Sequence, residues 1–126
     1  MSKKITIAID AMGGDNSPDK TISGVSIFLE KNKSKNDFFL KLYGDEKLIN
    51  NSLKKYKIDY KKISVIHTSS SISDDETPLT AIKNSRDTSM WKCINSQLDG
   101  DSDISLSAGN TGVLLVISRM ILKMMK

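Results

Sequence analysis

The sequence predicts an α/β protein, in which repeated strand–helix units form a mostly parallel sheet with helices on both faces. Three observations carry that expectation. Four short runs rich in β-branched or aromatic residues, ITIAI, FFLKLY, KISVIH and DISLS, recur along the chain. Between them, apolar residues return every three or four positions, the period of a helix. Each strand-like run ends in a polar or glycine-bearing loop, and alternation of this kind forces parallel pairing through βαβ crossovers.

In chain order, ITIAI alternates and opens the sheet, and DAMGGDNSP follows as a loop. Ser17 and Pro18 read as a cap and a first-turn proline, and Ile22, Val25 and Leu29 continue the helix they open. FFLKLY is the second strand. GDEKLINNSLKKY turns into a helix with Leu48, Ile49 and Leu53 on one side, and KISVIH is the third strand. After the polar loop SSSISDDE, Thr77 and Pro78 begin a helix whose stripe of Met90, Ile94 and Leu98 runs on to Gly100. DISLS is the fourth strand, followed by a glycine turn and a closing apolar helix. Ligands of such sheets bind beyond the carboxyl ends of the strands. That rule selects four loops: residues 10–17, 44–46, 68–76 and 107–112.

Composition narrows the class. The 126 residues suit one modest domain, with 38% hydrophobic and 27% charged residues, which is incompatible with wholesale disorder. The net charge of +4 is carried almost wholly by dispersed lysines, Arg86 and Arg119 being the arginines. Nucleic-acid sites concentrate their basic residues on one face, so no nucleic-acid partner is expected. The run Lys54, Lys55, Lys57, Lys61 and Lys62 reads as a solvated helix end. Cys93 is the sole cysteine, so no internal disulfide is expected, nor is a zinc site. The N-terminus carries no apolar signal region. The closing run GVLLVISRMILKMMK is broken by Arg119 and Lys123, and it falls short of the roughly 17 residues of a membrane span. A cytoplasmic protein is the expectation.

Two loops carry candidate chemistry. Ser107, Gly109, Asn110, Thr111 and Gly112 stand immediately before the last helix. The glycines admit close approach of a ligand to the backbone, and the side chains between them offer hydroxyls and an amide. A helix N-terminus presents unpaired amides and a dipole that favours negative charge, so the stretch fits a phosphate site. An ordinary helix cap with a close-packed glycine gives the same pattern. It is neither a Walker A loop nor a GxGxxG fingerprint. In DAMGGD, Asp10 at the strand end precedes Gly13, Gly14 and Asp15, and Asp15 also suits a turn cap. His67 ends a strand, where a general base and a satisfied structural histidine are alternatives. Cys93 and Trp91 read as packing residues, Trp91 also as a dimer contact. Asp74, Asp75 and Glu76 are a metal-ligand cluster or, more simply, acidic residues favouring a helix N-terminus.

IAIDAMGGD, TPLTAIKNSRDTSM and SAGNTG, in this order, resemble the bacterial phosphate acyltransferase family of phospholipid synthesis. The resemblance runs from Ile5 to the last residue. AIDAMGGDNSP is similar to the family's opening motif, YGD at residues 43–45 to a short glycine–aspartate motif, and SAGNTG is the most distinctive match. The chain departs at Ser17, where the family often has alanine or another small residue. It departs again between Lys83 and Arg86, where the family is often more basic. Family members are considerably longer, so the resemblance implies that residues 1–126 are the N-terminal part of one acyltransferase domain, similar in fold to phosphate acetyltransferases. It implies that inorganic phosphate attacks the thioester of a long-chain acyl group on acyl carrier protein, giving acyl phosphate and free carrier without cofactor or metal. A homodimer, peripherally associated with the inner face of the membrane, is also implied. Under this reading Asn110 and Thr111 act on the reacting group. Ser107, Gly109 and Gly112 bind phosphate, Gly13, Gly14 and Asp15 form the neighbouring wall, and Lys83 or Arg86 neutralises charge. A nucleotide-binding α/β module and a non-catalytic fragment are the alternatives. The closing helix is apolar nearly all round, so the chain alone is expected to associate and to be inactive.

Overall fold

The computed structural model describes residues 4–73, 75, 77, 78, 80 and 86–122. Four parallel strands, β1 (Ile5–Asp10), β2 (Phe38–Gly44), β3 (Ile63–His67) and β4 (Ile104–Ser107), form one sheet in the order β3-β2-β1-β4. Four α-helices stand among the described residues: α1 (Asp19–Lys31), α2 (Glu46–Lys55), α3 (Ser89–Leu98) and α4 (Thr111–Leu122). The expected alternation and parallel pairing are therefore present.

The pleat of β1 assigns the faces, because successive side chains point to opposite sides. Ile7 and Ile9 face α1 and α2, joining Ile22, Val25, Leu40, Leu42, Ile49, Leu53 and Ile63 in the larger core. Ala8 faces the other way, where it packs with Tyr43 and Cys93 under α3. Met90 and Ile94 of α3 then meet Val113, Ile117 and Ile121 of α4. Those three α4 residues lie at i, i+4 and i+8, one stripe of the helix. Away from that stripe Leu115 and Met120 remain open, 67% and 50% exposed, beside an exposed Arg119.

Coverage is incomplete at one edge of the sheet. β4 carries Ile104 and Leu106 on the same side as Ile7 and Ile9, yet the α1–α2 layer does not shield them and they are 44% and 52% exposed. No other described strand pairs with the outer edge of β4. No helix of the described residues is long and apolar enough to cross a membrane.

Two helix starts differ from the sequence expectation. Pro18 occupies the cap of α1 rather than its first turn, because the Ser17 hydroxyl donates back to the Gly13 carbonyl and closes the loop instead of capping the helix. The single helix expected from Thr77 to Gly100 is interrupted. Pro78 and Thr80 are helical, residues 79 and 81–85 lie outside the described residues, and Arg86 and Asp87 form a turn. Thr88 is then extended (φ −82°, ψ 156°) and its hydroxyl oxygen accepts from the Trp91 amide at 3.2 Å, which starts α3 afresh. Leu48 and Leu98, expected on buried stripes, are exposed. In α2 the buried set is Ile49, Ser52 and Leu53.

Candidate functional site at the β1–β4 crevice

The order β3-β2-β1-β4 reverses direction at β1: the chain adds β2 and β3 on one side and β4 on the other. In open α/β sheets that reversal leaves a crevice at the carboxyl ends of the two diverging strands. Here the strands are β1 and β4, and their last paired residues are Asp10 and Ser107. The loops that leave them, residues 11–17 and 108–110, are the two singled out by their glycines.

The loops touch through those glycines. A Cβ on Gly13 would lie 2.7 Å from the Gly109 nitrogen and 2.9 Å from Asp10 Oδ2. A Cβ on Gly109 would lie 2.9 Å from Met90 Cε. Gly14 adopts φ +89° against the Ala108 carbonyl, a backbone region that side chains with a Cβ rarely enter. Close approach of two backbones is the physical reason for glycine at these places.

Asp10 lies beneath the contact and is 3% exposed. Its Oδ1 accepts from the Ser89 hydroxyl at 2.5 Å and the Met12 amide at 3.1 Å, and its Oδ2 accepts from the Ser107 hydroxyl at 2.8 Å. The Ser107 oxygen in turn accepts from the Gly109 amide at 3.1 Å. Asn110 caps α4: its Oδ1 accepts from the Val113 amide at 3.2 Å, and its Nδ2 donates to the Ser73 carbonyl at 3.3 Å. Thr111 and Gly112 open α4, where an α-helix has no preceding carbonyls to receive its amides. Outside these loops lies a cleft of about 570 Å³ lined by Gly13, Gly14, Asp15, Lys20, Leu106 and Ser107, among others.

The structure thus brings Gly13, Gly14, Asp15, Ser107, Gly109, Asn110, Thr111 and Gly112 to one end of the sheet. Lys83 lies outside the described residues. Arg86 is exposed, and its guanidinium sits 5.8 Å from the centre of the Trp91 ring, a cation–π distance. His67 is exposed, and its Nδ1 accepts from the Glu46 amide at 3.1 Å, so it supports the start of α2. Cys93 is fully buried. Burial first, and the nearby Asp10 charge second, push its thiol up to about 12, so it stays protonated and unreactive at neutral pH. Asp75 is exposed, with its amide donating to Ser73 Oγ, whereas Asp74 and Glu76 lie outside the described residues. Among the described residues no group of three His, Cys, Asp or Glu side chains is placed to hold a metal ion.

The contribution of Ser89 was not legible in the sequence. It lies 79 positions from Asp10, on a helix whose start the hydrophobic pattern misplaced, and no motif spacing links the two.

A family model described as "Fatty acid synthesis protein" matches residues 5–126. The chain belongs to this family. The match covers both glycine loops and every strand. Relatives within reach of direct comparison include a phosphate acyltransferase of Pelagibacter ubique, 43% identical over 126 residues, covering 100% of this chain and 36% of the relative. One from Afipia carboxidovorans is 37% identical over 126 residues, covering 99% of this chain and 35% of the relative. One from Neisseria meningitidis is 37% identical over 119 residues, covering 94% and 33% respectively. The chain therefore spans about a third of the length of these members of the family.

Proposed function

We propose that the chain forms the phosphate-binding wall of a phosphate acyltransferase that makes acyl phosphate from inorganic phosphate and a long-chain acyl group on acyl carrier protein, for phospholipid synthesis. The observation that supports this most directly is the convergence of residues 10–15 with residues 107–112 at the start of α4, in a chain whose relatives bear that name.

The chemistry asks little covalent work of the protein. A phosphate oxygen forms a bond to the thioester carbonyl carbon, the carbon–sulfur bond breaks, and the carrier leaves as a thiolate that takes up a proton. Phosphate is its own nucleophile, which accords with a buried, protonated Cys93 taking no part. What remains for the protein is to hold a polyanion in line and to aim donors at the developing oxyanion. The first amides of α4, the Thr111 hydroxyl and the Asn110 side chain are the proposed donors, and Gly13, Gly14 and Asp15 shape the facing wall. Ser107, Gly109 and Gly112 set the course of the backbone around the anion. Lys83 and Arg86 are proposed to neutralise phosphate charge, Arg86 by leaving the Trp91 ring. Acyl carrier protein, a second copy of the chain and a membrane surface complete the proposed set of partners, in a cytoplasmic setting.

The test is a chimera in which residues 5–122 replace the matching third of the Pelagibacter ubique relative, assayed with long-chain acyl carrier protein and labelled phosphate. The expected result is labelled acyl phosphate, with free carrier released in equal amount. A folded chimera that releases no acyl phosphate while the parent enzyme does so would overturn the reading.

A further inference from the structure

Beneath the two glycine loops, one buried carboxylate accepts hydrogen bonds from two serine hydroxyls. Asp10 is 3% exposed and Ser89 1%. Three donors converge on the carboxylate: the hydroxyls of Ser89 and Ser107 and the amide of Met12. Each serine has one hydrogen to donate. Once the Ser107 hydrogen is directed at Asp10 Oδ2, its oxygen presents lone pairs, and the Gly109 amide donates to them at 3.1 Å. Asn110, the cap of α4, is the next residue. The same Oδ2 stands 2.9 Å from where a Gly13 Cβ would be. One oxygen atom therefore lies at the contact between both loops.

We propose that Asp10, braced by Ser89, is the positioning residue of this site: by accepting the Ser107 hydroxyl's hydrogen bond it leaves the Ser107 oxygen as an acceptor that anchors Gly109 and fixes the path of the chain into α4. This rests on the reading of the crevice as a phosphate site. It also reassigns Ser107, whose hydrogen is committed to Asp10 and not to the ligand. A carboxylate beside an anion site would repel phosphate if it were bare. Here three donors face it and satisfy its buried oxygens.

Asparagine at position 10 keeps the shape but has one acceptor oxygen and two N–H donors, so it cannot receive both serine protons. In the full chain, Asp10→Asn is expected to speed hydrogen exchange across residues 105–113, read by mass spectrometry. It is also expected to weaken inorganic phosphate binding about tenfold or more by calorimetry, since bonds to a charged acceptor are among the stronger ones. Ser89→Ala, which keeps the carboxylate and removes one brace, is expected to change both in the same direction by less. It stands in should Asp10→Asn not fold. Ile49→Val, in the core on the α1–α2 face, serves as the control: it is expected to lower stability and leave phosphate affinity unchanged. Unchanged exchange and affinity in folded Asp10→Asn or Ser89→Ala would overturn the proposal, as would equal loss of affinity in Ile49→Val. If the parent chain binds no inorganic phosphate, the functional reading of the crevice fails. Exchange across residues 105–113 then decides alone whether Asp10 sets the loop.

Discussion

Gly13 and Gly109 leave no space between them for a methyl group. Gly13→Ala must therefore push the residue 108–110 loop away from β1, and phosphate affinity is expected to fall with modest loss of stability, as titration calorimetry and thermal unfolding on the same sample would show. Cys93 makes a second prediction, from the sign of its titration. Its folded-state value lies near 12 against an ordinary 9.0, so the native state keeps a proton that the unfolded chain gives up. Its contribution to stability is complete below about pH 9 and is lost as the pH rises toward 12. Cys93→Ala is expected to show a shallower fall in melting temperature over that window than the parent, and the parent thiol to resist alkylation at pH 8 until the protein is unfolded. Both glycine loops were legible at this scale, because glycine and hydroxyl residues ahead of an apolar run carry their own local signal. The buried bond from Ser89 to Asp10 was not, since only the folded chain brings the two together.

Among the elements, periodicity found the buried stripes but not the helix ends. Ile22 with Val25 in α1, and Ile49 with Leu53 in α2, are buried where the spacing placed them. The starts of α1 and α3 moved because a loop-closing bond, a backbone bridge and a side-chain cap intervened, none of which hydrophobic periodicity reveals. The Ser17 hydroxyl bonds the Gly13 carbonyl, and the Thr88 backbone pairs with Ser70 before its hydroxyl caps α3. That cap has a measurable worth. Thr88→Ala removes the acceptor for the Trp91 amide and is expected to cost about 1 kcal/mol in a denaturant titration. Because α3 also carries Ser89, the same change is expected to loosen the Asp10 network. Thr88→Ser, which keeps the oxygen, is expected to restore most of the stability.

On the scale of the whole molecule, the fold class, the parallel pairing and the helices on both faces were legible. The strand order was not, because the periodicity of β4 is the same on either side of β1. The open flank at β4 and the outer side of α4 together expose Ile104, Leu106, Leu115 and Met120. Exposed apolar surface of this kind and an unpaired strand edge both promote association. The 126-residue chain by itself is expected to elute from a sizing column as oligomers, with Leu106→Lys and Leu115→Glu together raising the monomer fraction. A parent chain that runs as a monomer at all concentrations would show that these surfaces do not drive association.

The pairing of Ile7 with Ile104 also bears on the order in which the molecule assembles. β1, α1 and β2 can meet through short loops, whereas seating β4 closes a loop over the separation of 97 residues between Asp10 and Ser107, at a greater entropic cost. The crevice has one wall from each end of that loop. It comes into being only when the last strand docks, so a folding intermediate built from the first three strands would carry DAMGGD with nothing opposite it. The proposed anion site is then completed late on the folding path, and a ligand bound there would favour completion of the sheet by mass action.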